Sequence, residues 1–211
     1  MELNAHDLIR LKNMEDLLSD LPLPDWANQS LQRAPYVVVR RSAHPSGFVG
    51  VGIRGVQRSQ RISAWMRPED IDCVIKPKEL NSPQTWNTEY CDTIIHPVYS
   101  LQQIAPILKR KGFDWGPTGS TGYELATGIP TVNEYSDLDI VLNVTIPFSQ
   151  AAAGLLMNEL EQASISNLDV QLNTVLGGVS LRDYANAPKV LVKTAMGPLL
   201  AKPSDIWYNI N

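Results

Sequence analysis

Two stretches of the chain carry residue types that can do chemistry on phosphates. Gly116-Pro117-Thr118-Gly119-Ser120 is rich in glycine, and Ser136-Asp137-Leu138-Asp139-Ile140-Val141-Leu142 downstream alternates carboxylates with apolar side chains. In a strand this alternation sends Asp137 and Asp139 to one face and Leu138 and Ile140 to the other, into a core. Two carboxylates on one face repel each other, and a divalent cation between them relieves the repulsion. Oxygen ligands in a partly hydrated site favour Mg²⁺. Glycine permits close backbone approach, so Ser120 and the amides after Gly119 can donate to phosphate oxygens. No Gly-Lys-Ser/Thr follows, so the run is not a Walker loop. Each part alone also has a plain reading, as a turn cap, a solvated strand residue or a simple turn. Together they point to an enzyme that acts on a nucleotide.

The charges that must serve such a site are segregated along the chain. Between Asp25 and Glu69 there is no acidic residue, but there are Arg33, Arg40, Arg41, Arg54, Arg58, Arg61 and Arg67. From Gly112 to Leu181 the pattern inverts: Asp114, Glu124, Glu134, Asp137, Asp139, Glu159, Glu161 and Asp169 occur without one Lys or Arg. A basic arm and an acidic arm can share a polyanion, the first directly and the second through metal ions. Arginine makes bidentate contacts to phosphate, so some of Arg40, Arg41, Arg54, Arg58 and Arg61 are expected to meet substrate phosphates or an acidic partner protein. Arg40 and Arg41 are adjacent and point to opposite strand faces, so at most one of them enters a given pocket.

The elements that position these residues read as follows. Apolar spacing over 5–20 (Leu8, Ile9, Leu11, Met14, Leu17, Leu18) predicts an amphipathic helix ending near Pro22. Strand-like runs follow at 36–41, 48–54 and 62–66, separated by Pro, Ser and Gly. A polar, proline-containing stretch around 76–87 marks a boundary. Beyond it the pattern predicts a helix over 98–110 closed by basic residues and Gly112, the glycine turn, a short helix over 123–127, a strand over 137–144, a helix over 151–162 and a strand over 168–175. Short elements follow at 181–185, 190–194 and 203–208. Glu124 reads as a capping or solvated residue. The tryptophans read as core, with Trp115, beside the glycine turn, as the candidate exception that could stack on a base.

Composition bounds the rest. With 211 residues, 44% apolar content and 19% charge, the chain is an ordinary folded protein of one large or two small domains. Net charge is −4, which argues against a general nucleic-acid binder. No apolar run reaches the roughly 20 residues of a membrane span, and the N-terminus lacks a secretory pattern, so a cytoplasmic protein is expected. Cys73 and Cys91 form no CxxC motif, and His6, His44 and His96 make no zinc signature. The cysteines are expected to be buried structural thiols.

Gly119-Ser120, Asp137-Leu138-Asp139 and Leu168-Asp169-Val170 resemble the DNA polymerase beta-like nucleotidyltransferase superfamily, whose pattern is Gly-Ser, a strand with two alternating aspartates, and a third carboxylate on a neighbouring strand. The wider text is more specific. Pro35-Tyr36-Val37-Val38-Val39-Arg40-Arg41, Val51-Gly52-Ile53-Arg54-Gly55, Arg58-Ser59-Gln60-Arg61, the run from Gly116 through Gly128, and Asp169-Val170-Gln171 resemble the malonate decarboxylase holo-acyl-carrier-protein synthases.

That resemblance covers most of the chain. It implies an α+β protein with a small N-terminal arginine-rich α+β domain over 1–80 and a nucleotidyltransferase-like catalytic domain over 81–211, its mixed sheet flanked by helices. It implies 2′-(5″-triphosphoribosyl)-3′-dephospho-coenzyme A as donor, a serine of the apo acyl-carrier subunit of malonate decarboxylase as acceptor, and pyrophosphate as leaving group. Asp137 and Asp139 would hold Mg²⁺, and Asp169 would complete a metal site or accept the serine proton, unless it is a plain surface residue. Gly119 and Ser120 would bind substrate. The same motifs leave room for nucleotidyl transfer to another acceptor, such as the citrate lyase carrier, a small molecule or RNA, or for a catalytically silent carrier-binding module.

Overall fold

The computed structural model describes residues 2–57, 59–86 and 96–208. Arg58 and Cys91 therefore lie outside the described residues. The chain divides into two compact units, Met1–Lys76 and Pro77–Asn211.

The first unit contains β1 (Leu8–Leu11), α1 (Asp25–Arg33), β2 (Tyr36–Val39), β3 (Val49–Arg54), β4 (Arg61–Met66) and β5 (Ile71–Ile75). Its five strands form one sheet in the order β4-β3-β2-β1-β5, antiparallel throughout. Alternation decides its faces. Ile9, Leu11, Val37, Val39, Val51, Ile53, Ala64 and Met66 enter a core closed by Ala27 and Leu31 of α1. The opposite face receives Arg10, Tyr36, Arg40, Arg54, Arg61 and Ser63.

The helix expected over 5–20 is not formed: that segment is β1 followed by a 3₁₀ turn at Met14–Asp16. Two backbone features set the strand. His6 sits at φ 79°, a conformation no helix continues through, and Asp7, 2% exposed, accepts a hydrogen bond from the Asn4 amide. Leu8 and Ile9 are both buried although they point to opposite faces, so the strand's apolar residues imitate a helical spacing. Cys73, expected to be buried, is exposed, on the edge strand β5.

The second unit contains α2 (His96–Arg110), β6 (Asp114–Pro117), α3 (Gly119–Thr127), β7 (Leu138–Asn143), α4 (Gln150–Ala163), β8 (Leu168–Asn173), β9 (Gly178–Ser180), α5 (Leu181–Asn186), β10 (Val190–Thr194) and β11 (Gly197–Ala201). Six strands form a mixed sheet in the order β11-β10-β9-β8-β7-β6. Only β7 and β8 run parallel, and α4 is the crossover that a parallel pair requires. The Ser149 hydroxyl caps α4 by accepting from the Ala152 amide.

The core lies on one face of this sheet. Leu138, Ile140 and Leu142 of β7 and Leu168, Val170 and Leu172 of β8 pack against Leu101, Ile104 and Leu108 of α2 and Ala153, Leu156 and Leu160 of α4. The alternate residues, Asp139, Val141 and Asn143 with Asp169, Gln171 and Asn173, are thereby forced to the other face. A 3₁₀ turn at Pro77–Leu80 belongs to this unit, because the Pro77 carbonyl lies where a Cβ on Gly116 would be, 1.9 Å from that position. No helix among the described residues is long and apolar enough to cross a membrane.

Candidate active site

The site begins with the register of two strands. β7 and β8 pair in parallel with Asp139 opposite Asp169, so these carboxylates stand on neighbouring strands, on the face turned away from α2 and α4. Neighbouring strands lie about 4.8 Å apart, so the two carboxylates share one patch of that face. Asp137 lies one residue before β7, and its Oδ1 accepts a hydrogen bond of 3.4 Å from Asn167 Nδ2. The Leu138 amide donates to the Asn167 carbonyl at 2.8 Å, which ties the starts of the two strands together. Among the described residues no group of three or more His, Cys, Asp or Glu side chains is gathered around one point for a metal ion.

The glycine run does not form a free turn. Its last part, from Gly119, is the first turn of α3, and Thr118 is the N-cap residue with no side-chain cap hydrogen bond. The Thr118 amide donates to the Asp139 carbonyl at 2.8 Å, so the start of α3 is fastened to β7. Gly119 has φ +59°, and a Cβ there would fall 1.8 Å from Asp139 Oδ2. Glycine is thus demanded twice, by backbone conformation and by the aspartate it touches. The positive end of the α3 dipole faces the same carboxylate. Ser120, in the first turn of α3, is half-buried, and its carbonyl accepts from the Thr131 hydroxyl at 3.1 Å.

Glu124 is neither solvated nor a helix cap. It is 5% exposed, and its Oε2 accepts from the amides of Thr131 and Val132 at 2.6 and 2.7 Å. A buried carboxylate thus pins the segment that runs from α3 to Asp137. The sequence holds a weak sign of this: Glu124 lies five residues after Gly119, with no cation near it in the chain, so its charge needed backbone amides. Glu124→Ala should destabilise the second unit by about 2–3 kcal/mol, since two amides lose a charged acceptor. Thermal or urea denaturation of the variant checks this.

Among the arginines, Arg40, Arg54 and Arg61 share one face of the first unit's sheet, where Arg54 and Arg61 are register partners on β3 and β4. The Arg40 side chain lies along Gly52 of β3, 3.0 Å from where a Cβ there would be. Arg41 does not join them. It is half-buried, donates to His6 Nε2 at 3.3 Å, and desolvation lowers its pKa from the ordinary value. Trp115 is 3% exposed and packed in the second unit's core, so it is not a stacking platform.

A mixed sheet that presents register-paired aspartates beside a glycine-led helix start is the frame of a nucleotidyltransferase, an enzyme class that works on nucleotide phosphates. The chain belongs to the phosphoribosyl-dephospho-CoA transferase family. Residues 4–77 match the family described as phosphoribosyl-dephospho-CoA transferase MdcG N-terminal domain, and residues 92–204 match the MdcG C-terminal domain. A phosphoribosyl-dephospho-CoA transferase of Pseudomonas putida (strain W619) is 38% identical over 205 residues, covering 96% of this chain and 94% of the relative. One from Azotobacter vinelandii is 36% identical over 210 residues, with 97% and 94% covered, and one from Pseudomonas aeruginosa is 34% identical over 193 residues, with 87% and 85% covered. No solved structure matches the chain.

Proposed function

We propose that the protein transfers the phosphoribosyl-dephospho-coenzyme A group from 2′-(5″-triphosphoribosyl)-3′-dephospho-coenzyme A to a serine of the apo acyl-carrier subunit of malonate decarboxylase. The serine Oγ bonds to the α-phosphorus of the 5″-triphosphate while the bond from that phosphorus to the β-bridging oxygen breaks. The electron pair leaves on pyrophosphate, and the hydroxyl proton passes to a base. Asp169, on the strand beside Asp139 and exposed, is suited to take that proton. Such a reaction needs little covalent chemistry from the protein; it needs an in-line arrangement and neutralised charge.

The register pairing of Asp139 with Asp169, beside a glycine that touches Asp139, is the observation that carries this reading. Carboxylate oxygens are the donor set that Mg²⁺ takes, and that ion retains room for phosphate and water oxygens, so a site with few protein ligands fits it. Asp137 and Asp139 would hold it, and bound there it would offset the charge of the triphosphate and of the departing pyrophosphate. Ser120 and the amides after Gly119, at the start of α3, are suited to donate to phosphate oxygens, with Gly119 permitting close backbone approach. In the first unit, Arg40, Arg54 and Arg61 form a cationic sheet face suited to phosphate or to the carboxylates of an acidic carrier.

Intact-mass spectrometry of the apo carrier after incubation with enzyme, donor and Mg²⁺ tests the proposal. A mass gain equal to donor minus pyrophosphate, abolished by EDTA, is expected. No gain from folded enzyme and intact donor would overturn the assigned acceptor, and a gain on the citrate lyase carrier alone would replace it.

A further inference from the structure

The sheet face that carries Asp139 and Asp169 continues into a row of polar side chains that the reaction above does not use. Strands β8, β9 and β10 are in register through Asn173 with Gly178 and Gly178 with Lys193, so Lys193 stands on the carboxylate face, level with Asn173. Gly178 has no side chain, and the lysine crosses above it. Its Nζ donates to Gln171 Oε1 at 3.3 Å, one step along β8 toward Asp169. Gln171 Nε2 reaches Asn173 Oδ1 at 3.5 Å, and Asn173 Nδ2 donates to Asn143 Oδ1 at 2.9 Å. Gln171 is 8% exposed, so an amide with several partners is held in place between the lysine and the strand interior.

This row is costly for a sheet that asks only for stability. Asn and Lys are poor strand residues, and the opposite face of β7 and β8 is uniformly Leu, Ile and Val. The chain of hydrogen bonds fixes an ammonium by neutral amides, which hold it without cancelling its charge. Three other cations of this unit are spent on carboxylates: Arg110 and Lys111 on Glu159 at 2.6 and 2.9 Å, and Arg182 on Glu161 at 2.6 Å. From Gly112 to Leu181 the sequence supplies no Lys or Arg, so the acidic face has to draw its cation from beyond that stretch. Gln171 is two strand residues from Asp169, about 7 Å along β8. A phosphate chain seated at the aspartates spans that distance.

We infer that Lys193, steered by Gln171, binds a phosphate of the donor on the sheet face next to the aspartates, as a substrate-binding residue of the second unit. The inference rests on the transferase reading above. Two parts of the donor carry phosphate, the 5″-triphosphate and the diphosphate of its dephospho-coenzyme A moiety, and the test separates them.

Calorimetric titration of the full-length enzyme, with Mg²⁺ and without carrier, measures binding of the donor, of dephospho-coenzyme A and of inorganic triphosphate. Lys193→Met, which keeps the length of the side chain and removes its charge, should raise the donor Kd about tenfold or more. Lys193→Arg should restore most of the loss, and a thermal melt of each variant should remain cooperative, with Lys193→Met lowered by a few degrees at most for the hydrogen bond lost to Gln171. Weakening shared with inorganic triphosphate assigns the contact to the triphosphate, and weakening shared with dephospho-coenzyme A assigns it to the diphosphate. A donor Kd unchanged in Lys193→Met overturns the inference, and does so equally if only the KM for the carrier rises, because the lysine then serves the acceptor. Wild-type enzyme that binds no donor overturns the transferase reading and this inference with it, an outcome distinct from wild-type binding that Lys193→Met leaves intact.

Discussion

Asp139→Asn is expected to lower transfer of the prosthetic group by about a thousandfold or more while the fold survives. Asn has the shape of Asp and keeps the backbone pairing, including the Thr118 amide bonded to the residue's carbonyl at 2.8 Å. It lacks the negative charge that holds a divalent cation. Loss of charge stabilisation in phosphoryl chemistry amounts to several kcal/mol, and each 1.4 kcal/mol is about a factor of ten in rate. Stability should stay level or rise slightly, because a like charge opposite Asp169 is removed. Pyrophosphate release or carrier mass, followed beside a thermal melt, measures both quantities. Normal turnover in this variant would sink the assignment of Asp139 to the metal, and a collapsed melt would make it a structural residue instead.

The face bearing Asp139 was legible from the sequence because the two-residue period of a strand shows wherever one face is apolar and the other polar. Leu138, Ile140 and Leu142 are each almost wholly buried, as that period demands. The same reading failed at residues 8–11. There Leu8 is buried on the face that leaves Arg10 exposed, so Leu8 and Ile9 are buried neighbours in sequence and the two-residue period is blurred. Helix α1 left a sign that is clear only afterwards: Pro24 at its N-cap, Asp25 in its first turn, and Ala27 and Leu31 four residues apart as its buried pair. Three apolar residues in a nine-residue helix, Trp26 and Ala27 adjacent and Leu31 alone, are too few to stand out from a polar loop. Position 119 was singled out for phosphate approach. Its contact with Asp139 is tertiary, made by a residue distant in the chain, and no local pattern contains it.

That contact sets the second large effect. In Gly119→Ala the new Cβ would lie 1.8 Å from Asp139 Oδ2, closer than any non-bonded contact allows. Either the carboxylate swings out of place or the first turn of α3 moves away from β7. The backbone adds its own cost, since an L-residue held at φ +59° is disfavoured by about 1–2 kcal/mol. A stability loss of about 2–4 kcal/mol and a drop in transfer of about a hundredfold or more are expected, the first from strain and the second from a displaced aspartate. A double-mutant cycle discriminates between causes. If Gly119 acts on the reaction through Asp139, adding Gly119→Ala to Asp139→Asn should reduce transfer little beyond Asp139→Asn alone, since the carboxylate it displaces has already lost its charge. Full multiplication of the two losses would mean that the start of α3 binds the phosphates on its own account, independently of the aspartate beside it.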